Sequence, residues 1–94
     1  MRSEISDILS VHTKNSYLLL GYELILTPSE HRILTFLCER SDWQPAGLIA
    51  ELTGVSASSI TVHVSHLNKK AKQISGRVLI CGNRKNEYKL TENI

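Results

Sequence analysis

The chain has 94 residues, of which 41% are hydrophobic and 21% charged, with two cysteines and a formal net charge of +2. This is the size and composition of one globular domain (residues 1–94), and it excludes disordered and low-complexity classes. Cys38 and Cys81 are too few and too far apart for a disulfide scaffold or a CxxC site, and no stretch approaches the roughly 20 apolar residues of a membrane span.

The N-terminal run MRSEISD has no apolar signal core, so the expected setting is a soluble, reduced, cytoplasmic protein. A membrane anchor on a longer parent chain is compatible with this reading. The charge is unevenly divided. Residues 1–55 carry four Lys/Arg against seven Asp/Glu, whereas residues 56–94 carry seven against two. The second half therefore offers the electropositive surface.

The elements are read in chain order. Ile8 to His12 is a short apolar strand, followed by a turn cluster from Thr13 to Ser16. Tyr17–Leu20 and Glu23–Leu26 flank Gly21-Tyr22, a two-residue hairpin signal. An antiparallel sheet over about 8–26 follows from these signals. Thr27 is an N-cap, Pro28 suits the first helical turn, and Glu30 completes a capping box. Ile33, Leu34, Leu37 and Cys38, with Phe36 beside them, carry the helical repeat to about Arg40. Ser41 to Pro45 reads as a loop in which Trp43 plugs the core. Ala46 to about Thr53 is a second helix with Leu48, Ile49 and Leu52 inward, stopped by Gly54. Ser56 caps a third helix, 57–73, whose apolar residues Ile60, Val64, Leu67, Ala71 and Ile74 recur at steps of four and three. Two strands over 77–90 flank the basic tip Gly82–Asn86.

The segment Leu48 to Leu67 is a helix, a glycine turn and an amphipathic helix, the helix-turn-helix pattern. Opposite the core face of the third helix lie Ser58, Val62, Ser65, His66, Lys69 and Lys72, with Thr61 and Asn68 on one flank. No Asp or Glu occurs from Ala57 to Gln73. Short polar side chains let such a helix enter a major groove, Val62 can meet a thymine methyl, and Lys69, Lys70 and Lys72 can reach phosphate. Arg84 and Lys85 at the following hairpin tip suit a minor groove, where arginine is favoured.

At these residues the chain resembles the OmpR/PhoB-type winged-helix effector domains of bacterial response regulators and their ToxR/CadC-like relatives. The similar features are Gly21 before Leu26-Thr27-Pro28-Ser29-Glu30, the ungapped run Ser59-Ile-Thr-Val-His-Val-Ser-His-Leu-Asn-Lys-Lys70, and Arg84 followed by Lys85-Asn-Glu-Tyr-Lys-Leu90. The resemblance covers about Ile8 to Leu90. It implies an α+β winged helix-turn-helix with an N-terminal antiparallel sheet, three helices and a C-terminal β-hairpin wing. It also implies DNA contacts at Ser58, His63, Ser65, His66, Asn68 and Arg84. On periodicity alone His63 falls at the edge of the core face, so a structural role stays open.

There are departures. His66 and Asn68 stand where the family has arginines, Lys85 and Glu87 replace wing glycines, and the inter-helix loop Thr53–Ser58 is shorter. A family contact to RNA polymerase through that loop is therefore not carried over, and dimerisation on DNA is implied only as a family habit.

Catalysis has little support. His12, His31, His63 and His66 are scattered, the only i,i+3 pair (His63 and His66) has no third ligand nearby, and there is no phosphate-binding glycine loop. No metal or cofactor is expected. The expected function is sequence-specific binding of double-stranded DNA by a bacterial transcriptional regulator. The alternative is a winged-helix protein-interaction or accessory module, distinguished by failure to hold DNA even at low salt.

Overall fold

The computed structural model describes residues 9–13 and 16–91. The expected strand start at Ile8 and the turn residues Lys14 and Asn15 lie outside the described residues. The architecture is α+β. An antiparallel sheet of β1 (Leu9–Thr13), β2 (Ser16–Leu19) and β3 (Tyr22–Ile25) opens the chain in the order β1-β2-β3. The helices are α1 (Pro28–Cys38), α2 (Ala46–Thr53) and α3 (Ile60–Ser75). A second sheet of β4 (Gln44–Pro45), β5 (Ile80–Gly82) and β6 (Glu87–Leu90) has the order β4-β6-β5.

The β2–β3 turn is Leu20-Gly21, one residue earlier than the expected Gly21-Tyr22, because Leu19 pairs with Tyr22. Both turn residues have positive φ, +53° and +82°, the pattern of a type I′ turn that matches strand twist. Glycine fits either central place, so the residue alone does not set the register.

The capping box at α1 is formed. Thr27 Oγ1 accepts from the Glu30 N–H at 3.3 Å, and Glu30 Oε1 accepts from the Thr27 N–H at 2.9 Å. Ile33, Leu34, Phe36 and Leu37 are buried as the repeat predicts, whereas Cys38 is exposed. Only Ala46 and Ile49 of α2 are buried, while Leu48 and Leu52 face outward. This eight-residue helix is apolar on several sides, so its composition does not mark the inward one.

Gly54 ends α2 with φ +76°, a left-handed cap that β-carbon-bearing residues pay to adopt. A 3₁₀ turn at Ala57–Ser59 then leads into α3. The Ser56 hydroxyl does not cap the helix; it bonds to Ser58 Oγ at 3.0 Å.

Ile60, Val64, Leu67 and Ala71 bury one stripe of α3, with Ile74 half-buried behind them. They meet Tyr17, Leu19 and Leu24 of the first sheet, the α1 residues, Ile80, Tyr88 and Leu90 of the second, and Leu79 just before β5, in one core. A fully buried leucine or isoleucine contributes about 1.5–3 kcal/mol, so this stripe fixes which side of α3 faces out.

The segment expected to be a loop contains β4. Gln44 pairs with Tyr88 and Pro45 with Glu87. Proline lacks an N–H and is tolerated at such an edge. Trp43 is not a core plug: it is partly exposed, and the Lys89 ammonium lies 5.2 Å from its ring.

Candidate nucleic-acid interface

The exposed side of α3 follows from its buried stripe. Thr61, Val62, Ser65, His66, Lys69, Lys72 and Gln73 are exposed, and Ser58 is exposed in the preceding turn. Val62 is 52% exposed, an apolar side chain on an otherwise polar face. No acidic residue interrupts this face. Lys69 and Lys72 make no ion pair with a described residue, and neither do Arg84 and Lys85, which are exposed at the tip between β5 and β6.

That tip is a built turn. Asn83 Oδ1 accepts from the Lys85 N–H at 2.9 Å and the Glu87 N–H at 3.1 Å. Asn83 Nδ2 donates to Glu87 Oε1 at 2.9 Å, and Asn83 N donates to Glu87 O at 3.1 Å. Asn86 adopts φ +60°, a conformation that asparagine tolerates better than most residues. Asn83 thus braces the tip through its side chain, and Asn86 takes the left-handed backbone conformation that a glycine would otherwise supply.

The two flanks of α3 are occupied. On one, Thr61 Oγ1 lies 3.0 Å from Tyr88 Oη, and Asn68 binds the backbone at the start of β5. On the other, Lys70 Nζ donates to Ile25 O at 3.1 Å and to Glu30 Oε1 at 2.6 Å. His63 is half-buried.

A scan of family models finds no match for this chain, and no curated protein matches it. Solved structures do. One from a novel family of redox sensors in the streptococci, evolved from two-component response regulators, superposes with TM-score 0.79 at 15% identity, over 92% of this chain and 40% of that one. A cysteine-to-aspartate variant of RitR gives 0.73 at 16% identity, over 83% and 37%. The DNA-binding domain of E. coli CadC gives 0.70 at 24% identity, over 82% and 78%. This chain therefore spans well under half the length of the first two.

The fold is a winged helix. Within it α3 is the second helix of the helix-turn-helix and the β5–β6 hairpin is the wing. Of the twelve residues picked from sequence, Val62, Ser65, His66, Lys69 and Lys72 share the exposed α3 face, Ser58 is exposed in the 3₁₀ turn before it, and Arg84 and Lys85 sit on the wing tip. Asn68 and Lys70, half-buried on the flanks against a sheet and α1, have internal partners instead, and Thr61, though exposed, bonds to Tyr88 at the edge of the crest.

Lys70 in particular neutralises a buried acid. Glu30 is 1% exposed. Burial pushes its carboxyl up. The Lys70 hydrogen bond, the Thr27 N–H and the charges of Lys70 and His66 outweigh that and hold it below the ordinary value of 4.5.

Sequence reasoning missed Asn83, Asn86 and Tyr88 as wing organisers. The signal available for Asn83 was an asparagine two residues before the turn backbone it binds, an Asx-turn arrangement. Among the described residues no helix is long and apolar enough to cross a membrane, and no cluster of three or more His, Cys, Asp or Glu could hold a metal ion.

Proposed function

We propose that this chain binds double-stranded DNA sequence-specifically as the DNA-binding domain of a bacterial transcriptional regulator acting in the cytoplasm, with α3 in the major groove and the wing in the adjacent minor groove. The observation that carries the reading is the exposed, acid-free face of Ser58, Val62, Ser65, His66, Lys69 and Lys72 on a helix whose opposite side is locked in the core. A 16-residue helix is about 24 Å long, and short side chains on its crest suit a groove about 12 Å wide. Val62 supplies an apolar contact for a thymine methyl, Ser65 and His66 supply hydrogen-bonding groups, and Lys69 and Lys72 supply phosphate neutralisation.

The wing supports the same reading. Its tip is held by Asn83 before any ligand arrives, so placing Arg84 and Lys85 in a groove costs less ordering entropy than a loose loop would. The likeness to the CadC DNA-binding domain agrees with this assignment. Pairing of two copies on adjacent half-sites belongs to the proposal, as does the treatment of residues 1–94 as a single domain.

The test is selection of the purified domain on a randomised duplex library, with Val62→Ser run in parallel. The reading predicts one enriched motif for the wild type and, for the variant, altered preference at one or two positions, worth about 1 kcal/mol. Enrichment of no motif at low salt, or identical motifs for both proteins, would refute it and favour a protein-interaction module.

A further inference from the structure

Asn68 lies on the α3 flank that faces the wing sheet, two turns beyond Thr61. Its Oδ1 accepts from the Leu79 N–H at 2.9 Å and the Ile80 N–H at 2.8 Å. Its Nδ2 donates to Ile80 O at 2.9 Å. A side-chain amide offers two donors and two lone pairs, and three of these are spent on adjacent backbone groups where the chain enters β5. Leu79 and Ile80 are buried, so their N–H groups need a partner other than water. β5 pairs with β6 on its other side, Ile80 opposite Leu90.

Neither nearest replacement reproduces this set. Aspartate keeps the acceptors but turns an oxygen toward the Ile80 carbonyl, and arginine has no acceptor at all.

We infer that Asn68 is a positioning residue that sets where the wing stands relative to α3, so that Arg84 and Lys85 engage the same duplex as the α3 face. The inference rests on the DNA-binding reading above. The second fastening, Thr61 to Tyr88, extends toward the tip. Tyr88 Oη donates to Asn86 Oδ1 at 3.5 Å, and Asn86 O accepts from the Ala46 N–H at 3.0 Å. Asn68 is the stronger clamp because it holds the strand backbone itself. Its consequence is thermodynamic coupling: the contribution of the wing to binding depends on a residue that touches no DNA.

The experiment crosses Asn68→Ala and Asn68→Asp with Arg84→Ala. Two readouts are taken: amide hydrogen exchange without DNA, and affinity for a duplex from the library. Without DNA, Leu79 and Ile80 should exchange roughly fivefold to tenfold faster in Asn68→Ala, and Asn68→Asp should restore part of that protection. Unchanged exchange would overturn the clamp whatever the DNA result.

With DNA, Arg84→Ala should weaken binding roughly tenfold in the wild-type background but about twofold or less beside Asn68→Ala. A purely structural loss at Asn68 would lower the folded fraction and leave the Arg84 ratio unchanged, which would overturn the coupling. A shifted base preference in Asn68→Ala would overturn it in favour of direct base contact. Failure of the wild type to bind any duplex would refute the DNA reading, and with it the wing's role, while the exchange measurement would still decide the clamp.

Discussion

Replacing Lys70 with methionine keeps the aliphatic stem and removes the ammonium, which separates two readings of this residue. If Lys70 is a phosphate anchor, the change weakens DNA binding and leaves stability alone. The structure predicts the reverse. The Lys70 side chain is 38% exposed while that of Glu30 is 2% exposed, so the acid pays for desolvation and the base keeps part of its hydration. The pair is worth more than a surface bridge at about 0–1 kcal/mol and less than a fully buried one at about 3–5 kcal/mol on breaking. About 1.5–3 kcal/mol is the expected loss. That is a large part of the roughly 5–14 kcal/mol typical of a domain this size and corresponds to a melting point lower by roughly 6–20 °C.

The pH dependence follows from the lowered Glu30 value. The unfolded chain takes up a proton more readily than the folded one, so the contribution is complete above the ordinary 4.5 and is lost as pH falls through the lower folded value. Urea unfolding of wild type and Lys70→Met at about pH 7 and about pH 3 should show a full gap at the first and a reduced one at the second. The folded variant should bind duplex within about twofold of wild type at fixed salt. A gap equal at both pH values, or a stable variant with strongly weakened binding, would refute the reasoning.

Three other outcomes are expected. Leu20→Asn relieves a leucine held at φ +53° on an exposed turn and should stabilise the domain by about 0.5–1 kcal/mol in urea melts; a neutral or destabilising result would argue against the turn geometry. Burial raises the Tyr17 hydroxyl from 10.0 to about 12 against the opposing effect of its 2.6 Å bond to Thr35 Oγ1. Phenolate absorbance should therefore show one late-titrating tyrosine that is absent in Tyr17→Phe, and the Tyr17 contribution to stability, present below pH 10, should disappear as pH rises through the folded value. With Lys70 committed internally, Lys69, Lys72, Arg84 and Lys85 are left for phosphate, so log affinity should fall against log salt with a slope of about −2 to −4 per monomer; a slope near zero would remove the electrostatic interface.

What could be read from the sequence was local. The Thr27–Glu30 box, the glycine stop at Gly54 and the four-three spacing of Ile60, Val64, Leu67 and Ala71 each depend on neighbours within a turn or two, and each is formed. The crest of α3 followed from that spacing. What could not be read depended on contacts distant along the chain. Gln44 and Pro45 become a strand only because Tyr88 and Glu87 arrive beside them. Lys70 is a surface lysine until Glu30, forty residues earlier, is buried next to it. Asn68 resembled a base reader because periodicity places it on a flank without saying that β5 covers that flank. On α2 the abundance of apolar residues hid the inward side, and Leu48 and Leu52 turned out to face solvent.

The central claim is that the α3 crest and the wing tip carry duplex DNA, and amide chemical-shift mapping of the labelled domain with its selected duplex tests it most directly. The account predicts the largest shifts at Ser58, Val62, Ser65, His66 and Lys69 and at Asn83 to Lys85, with Leu48, Leu52 and the Leu20–Ile25 hairpin unmoved. Shifts confined to α2 or to that hairpin, with the α3 crest silent, would contradict it.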